Sequence, residues 1–323
     1  MASLGSTGPV LVTGASGFVG RALVERLLAD GVLTLAAVRG AAVLPAGARP
    51  VPAPNLGPDA DWRAALGGVA CVVHLAARVH VMRDSAADPL AEFRRANVDG
   101  TLALARQAAA AGVRRLVFVS SIKVNGEESA PGRPFTADDV PAPIDPYGIS
   151  KHEAEQALWA VAAETGLQAV VVRPVLVYGP GVKANFRSLL GWLARGLPLP
   201  LGAVHNRRSL LALDNLVDLL TVCIDHPAAA GQVFLASDGE DLSTTELLRR
   251  LGAALGRPAR LLPLPAPWFE GAARLLGRGA VVQRLCGSLQ VDIGKTRELL
   301  GWTPPVTVDE ALQKTARAFL AQR

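Results

Sequence analysis

The sequence predicts an α/β fold, a doubly wound parallel sheet followed by a smaller C-terminal region. Short apolar runs alternate with helical patterns through the first half of the chain, the sign of βαβ units. The first run, Val10-Leu11-Val12-Thr13, enters a turn in which Gly14, Gly17 and Gly20 recur every third residue. After Pro174 the segments shorten, and Pro198, Pro200, Pro227, Pro258, Pro263, Pro265 and Pro267 punctuate them. These observations divide the chain into a sheet-forming part, 1–174, and a second region, 175–323, from which some segments return to the sheet.

In chain order, the strands are expected at 10–13, 33–38, 71–75, 116–120 and 169–173, each a short apolar run of the kind buried on both faces. The helices are expected at 17–29, ended by Gly31, then at 61–66, 89–111 and 146–165. The Pro/Gly/Ala-rich stretch 44–58 reads as a loop around a short strand near 49–51. Beyond Pro174, a strand at 232–235 is expected to rejoin the main sheet. The rest forms a small cap of helices and short strands over the sheet's carboxyl edge.

Bulk properties exclude several classes. No apolar run among the 323 residues reaches the roughly 20 that a membrane helix needs, so no membrane insertion is expected. The first nine residues lack a basic and apolar leader, which points to a cytoplasmic protein. Cys71, Cys223 and Cys286 lie far apart in apolar settings and read as buried free thiols, with no metal site. The net charge of +5, from 33 basic and 28 acidic residues, is too dispersed for a nucleic-acid surface.

The glycine turn carries the first functional signal. Gly14 permits the tight turn, Gly17 lets backbone approach a pyrophosphate, and Gly20 permits close helix–strand packing. That makes the turn a dinucleotide site rather than an empty loop. The second signal is Tyr147-Gly148-Ile149-Ser150-Lys151. Four residues apart on a helix, Tyr147 and Lys151 share a face. There an ammonium lowers the phenol's pKa, and the phenol moves a proton to or from a carbinol oxygen. Ser121 ends the strand before it, at the carboxyl edge where open α/β sheets bind ligands.

These segments, with His74-Leu75-Ala76-Ala77, Asn97-Val98-Asp99-Gly100-Thr101, Arg173-Pro174 and the tail Asp292-Ile293-Gly294-Lys295 to Leu300-Gly301-Trp302-Thr303-Pro304, recur in order. Together they resemble the extended short-chain dehydrogenase/reductase family, the NAD-dependent epimerases, dehydratases and ketoreductases of nucleotide sugars. The resemblance implies a Rossmann-type sheet whose second region binds substrate. It implies Ser121, Tyr147 and Lys151 as the catalytic set. Gly14, Ser16, Gly17, Phe18, Val19, Arg39, Asn55, Leu75, Ala76, Ala77, Asn97 and Pro174 join Tyr147 and Lys151 around the cofactor. Within that set, Asn97 has the role of a support behind the cofactor. Ser121, Lys123, Tyr147, Asn185 and Arg208 would meet the substrate, the last two at its diphosphate, with Arg207 and His80 as further candidates. The implied partners are a nucleotide sugar, UDP-linked, and a second copy of the chain, since small residues fill both 89–111 and 146–165.

Cofactor and reaction follow from finer detail. NAD-specific folds end the second strand with an acidic residue, but here Val38 holds that place and Arg39 follows. Arg39 would pair with a 2′-phosphate, so NADP(H) is expected, with NAD(H) the alternative. Ile122 and Lys123 stand where the family's dehydratases carry Asp-Glu, which argues against dehydration. The segments 120–127 and 78–82 resemble the bacterial UDP-4-keto-6-deoxy-N-acetylhexosamine 4-reductases of surface polysaccharide synthesis. The main expectation is therefore a nucleotide-sugar 4-ketoreductase. The alternatives are a UDP-hexose 4-epimerase with tightly held NAD and a non-catalytic NADP(H)-binding sensor or scaffold.

Overall fold

The computed structural model describes residues 8–79, 88–264 and 285–322. His80, Pro265 and Pro267 lie outside the described residues. Six strands arise from the first half: β1 (Val10–Thr13), β2 (Thr34–Val38), β3 (Arg49–Pro52), β4 (Cys71–His74), β5 (Arg115–Val119) and β6 (Gln168–Pro174). With β9 (Val233–Ala236) they form one seven-stranded sheet in the order β3-β2-β1-β4-β5-β6-β9, every pair parallel. The predicted α/β architecture is the one observed.

The alternation of side chains along each strand builds two cores. Val10, Val12, Val73, Val117, Val170 and Val172 face a layer with α1 (Phe18–Ala29) and α7 (Leu213–Asp225). Leu11, Val72, Leu116, Phe118 and Val171 face the opposite layer, with α4 (Gly100–Ala110) and α5 (Pro146–Thr165). Both faces of the central strands are covered, so these strands are mostly apolar, whereas the edge strand β3 is largely exposed. A third core lies in the second region, around α6 (Ala184–Ala194), α8 (Thr244–Ala254) and the helix Val308–Leu320. There β7 (Leu176–Tyr178), β8 (Arg208–Ala212) and β10 (Asp241–Leu242) make a separate three-stranded sheet, β8 central.

Several expected boundaries move. The strand expected at 116–120 starts at Arg115, which is buried rather than solvated. Its guanidinium donates to Gln168 Oε1 and to the carbonyls of Cys223 and His226, which satisfies the charge at the sheet's end. The helix expected at 89–111 is interrupted by a wider π turn over Arg94–Asp99. Such a bulge re-aims a side chain, and here it turns Asn97 inward, where it is buried. Cys71 and Cys223 are buried free thiols whose burial pushes them up to about 12, whereas Cys286 is only half-buried.

The sheet's chain order reverses between β1 and β4, the crevice where folds of this kind bind ligands. A buried histidine ties the two strands there. Thr13 Oγ1 accepts from the backbone N–H of Leu75 at 3.2 Å and of Ala76 at 3.1 Å. With both lone pairs used, its proton goes to His74 Nδ1, 2.7 Å away. His74 Nε2 then carries the ring proton and donates to Thr101 Oγ1 at 3.2 Å. A second proton on the ring would have no acceptor, and burial holds His74 down at about 3. The folded value is below the unfolded one near 6.5, so this contribution is present above pH 6.5 and is lost as pH falls toward 3. Urea titrations should show roughly 2 kcal/mol less stability at pH 5 than at pH 7, most of it abolished in His74→Asn. An identical pH slope in that variant would remove His74 as the cause.

Candidate active site

One large cleft opens at the carboxyl ends of β1, β2, β4, β5 and β6. Its floor is the glycine turn. A Cβ at Gly14 would stand 2.9 Å from Ala76 N, and one at Gly20 would stand 2.1 Å from Gly14 O. Neither position admits a side chain, so the turn stays close against β4 and α1. Gly17 is the N-cap of α1 and supplies no side-chain cap. The first turn's N–H groups therefore face the cleft as anion donors.

The structure brings nearly all the sequence-predicted residues to this cleft. Gly14, Ser16, Gly17, Phe18 and Val19 line it from the first turn. Arg39 and Asn55 line it from the ends of β2 and β3, both exposed. Leu75, Ala76 and Ala77 follow β4, and Pro174 closes β6. Ser121, Lys123, Tyr147 and Lys151 form the wall beside β5, while Asn185 and Arg208 reach in from the second region. The Arg208 guanidinium donates to the Gly287 carbonyl at 3.0 Å. Arg207 is exposed and is not part of the wall.

Asn97 is the exception among the residues expected around the cofactor. It does not line the cleft. Its side chain bonds both backbone groups of Arg78, at 2.8 and 3.0 Å, and donates to Ser150 Oγ at 3.0 Å. It braces α5 and the chain after β4 from behind, through backbone and hydroxyl partners only.

The electrostatics differ from expectation at Tyr147. Instead of being lowered, the phenol is pushed up to about 12, first by burial and then by Asp145. Lys151 is engaged elsewhere. Its Nζ donates to the Val119 carbonyl at 2.7 Å and sits 3.9 Å over the Phe118 ring. Burial pushes this ammonium down to about 7, partly opposed by Glu155. Near neutral pH, Lys151 thus stands between charged and neutral forms, with the ring face favouring the cation. Tyr147 packs edge-on against Phe93, ring centroids 6.0 Å apart.

Residues 10–236 match the family model described as the NAD dependent epimerase/dehydratase family. The chain belongs to that family. It is 47% identical over 313 residues to a UDP-glucose 4-epimerase of Vibrio cholerae, covering 96% of this chain and 95% of the relative. A UDP-glucose 4-epimerase of Mycolicibacterium smegmatis is 33% identical, covering 96% and 97% of the two chains. Among solved structures, MoeE5 in complex with UDP-glucose and NAD superposes with a TM-score of 0.77 at 28% identity, covering 98% of this chain and 99% of that one. The relative at 47% identity bears the name of an epimerase, not of the 4-ketoreductases whose short segments this sequence resembles.

This family member also has a buried network of which the motifs contain only Arg173. Arg173 pairs with Glu155 through Nε at 3.0 Å and Nη2 at 2.6 Å, and donates to Asn125 Oδ1 at 3.0 Å. Ser120 Oγ donates to the same carboxylate. The network joins α5 to β6 and to the loop after β5, directly behind Ser121 and Lys151. A signal for it does exist in the sequence. Tyr147, Lys151 and Glu155 continue a spacing of four along α5, which marks one stripe facing the sheet.

Proposed function

We propose that the chain is a UDP-hexose 4-epimerase that holds NAD(H) in the cleft. The observation that carries this reading is the 47% identity, from end to end, with a UDP-glucose 4-epimerase. The cleft fits a dinucleotide, because Gly14 and Gly20, with no room for a Cβ, keep the turn close against β4 and α1, and the first turn of α1 has no side-chain cap. Bound NAD would supply a reversible hydride acceptor for C4 of the sugar. Tyr147, as the phenolate, takes the proton of the 4-hydroxyl as C4 is oxidised and, as the phenol, returns it to the 4-keto oxygen when C4 is reduced again. Ser121 Oγ bonds the same sugar oxygen and holds it in place. With bound dinucleotide and substrate, a charged Lys151 would favour the phenolate that this step needs. Asn185 and Arg208 hold the diphosphate, Arg208 through its planar fork. The reading includes a homodimer across α4 and α5.

A second reading rests on Arg39. It lies exposed on the cleft wall, and no acidic residue ends β2. A 4-ketoreductase that takes NADPH, reduces its sugar and releases NADP would use such an arginine on the 2′-phosphate. The nucleotide freed by denaturing the purified protein separates the two. NAD at close to one per chain is expected; a preparation that holds none and binds NADPH far more tightly than NADH would favour the reductase.

A further inference from the structure

We propose that the Lys123–Asp145 ion pair is a positioning clasp that fixes Ser121 against Tyr147 for turnover. The inference rests on the oxidoreductase reading of the cleft above and assigns Lys123 a role other than substrate contact.

Ser121 and Tyr147 come from segments that nothing in the sheet ladder joins. Ser121 starts the short 3₁₀ turn Ile122–Val124, and its Oγ accepts from the backbone N–H of Lys123 at 3.3 Å. Tyr147 lies in the first turn of α5. The Lys123 ammonium bonds Asp145, and Glu127 Oε1 at 2.9 Å. Asp145 is the N-cap of α5, its Oδ1 accepting from Gly148 N at 2.6 Å. One carboxylate thus holds both the helix that bears Tyr147 and the side chain two residues beyond Ser121.

The backbone repeats the same contact. A Cβ at Gly148 would stand 2.9 Å from the Lys123 carbonyl oxygen, so the loop lies directly on the first turn of α5. Ala142 N donates to the Val124 carbonyl at 2.9 Å, tying the returning chain to the same short turn. Lys123, Glu127 and Asp145 are all half-buried, and Lys123 and Glu127 line the cleft. With two of its three donors on carboxylates, Lys123 is poorly placed to act as a substrate ligand. An ordinary surface ion pair contributes little. This one matters through geometry, because an ångström of misplacement between reacting groups costs about 100-fold in rate.

The test uses Lys123→Met, Lys123→Arg, Asp145→Asn and the Met/Asn double variant in the full-length protein. Asparagine keeps the N-cap acceptor and removes the charge. The assay is whichever of the two reactions the wild type performs, epimerisation of UDP-glucose or NADPH-dependent reduction of a 4-keto UDP-sugar. Lys123→Met and Asp145→Asn should each lower kcat about tenfold with KM within about twofold, the double variant being no worse than either. Lys123→Arg should recover more than half of kcat. A raised KM at unchanged kcat would make Lys123 a substrate ligand, and wild-type kcat in Lys123→Met would leave the pair without a role; either overturns the clasp. If the wild type performs neither reaction, the functional reading itself has failed. The clasp is then judged by amide hydrogen exchange: Lys123→Met should speed exchange in both 122–124 and the first turn of α5, and unchanged exchange overturns it.

Discussion

Tyr147→Phe is expected to lower turnover by roughly 100- to 10,000-fold while leaving dinucleotide affinity within about twofold of wild type, as for loss of a positioned proton donor. The substitution removes one oxygen from a ring that packs against Phe93, so the wall of the cleft keeps its shape. Lys151→Met should lower both turnover and dinucleotide affinity. It removes the cation and also leaves the Val119 carbonyl without its donor. Steady-state rates and a fluorescence titration check both variants. Retention of more than about a tenth of the wild-type rate in Tyr147→Phe would take the phenol out of the proton-transfer role.

The largest stability effect is expected at Glu155. Arg173 and Glu155 are only 4% and 2% exposed. Glu155→Ala leaves a guanidinium buried without its carboxylate and removes the acceptor of Ser120. Breaking a buried pair in this way costs about 3–5 kcal/mol. Replacing both members, as in Glu155→Leu with Arg173→Met, removes the stranded charge and should cost less than Glu155→Ala alone. Urea titrations at pH 7 measure each. A loss under about 1 kcal/mol in Glu155→Ala would mean that water reaches Arg173 and that the network is not the brace described.

Much of this architecture can be read from residue order. Val10–Thr13, Cys71–His74 and Gln168–Pro174 carry apolar residues on both faces over most of their length, as a doubly covered parallel strand requires. The glycine spacing and the Tyr147–Lys151 interval placed the cleft at the correct strand ends. The second sheet was legible only as unplaced short strands of a cap, because β7 and β10 have three and two residues, too short for a period to register. The π turn at Arg94–Asp99 is set by the contacts of Asn97 across the fold, not by local propensity. The strand start at Arg115 was missed because an arginine reads as solvated until its carbonyl partners on α7 and the chain after it are known.

The electrostatics at Tyr147 have the same origin. Sequence spacing places Lys151 one helical turn from Tyr147, but it cannot show that the ammonium bonds the Val119 carbonyl and stacks over the Phe118 ring. Lys123 offered no sequence signal for its partners either. Glu127 is four residues away, yet Asp145 is 22 residues on and meets it only because α5 returns to the end of β5.

The most direct test is a proton NMR time course of the purified protein with UDP-glucose and no added dinucleotide. UDP-galactose should accumulate to a constant mixture of the two sugars, approached equally from UDP-galactose, and Tyr147→Phe should abolish the conversion. No change in either sugar, together with stoichiometric NADPH oxidation in the presence of a 4-keto-6-deoxy UDP-hexosamine, would contradict the epimerase reading and establish the reductase. Dinucleotide binding with no turnover of any of these sugars would leave a sensor or scaffold.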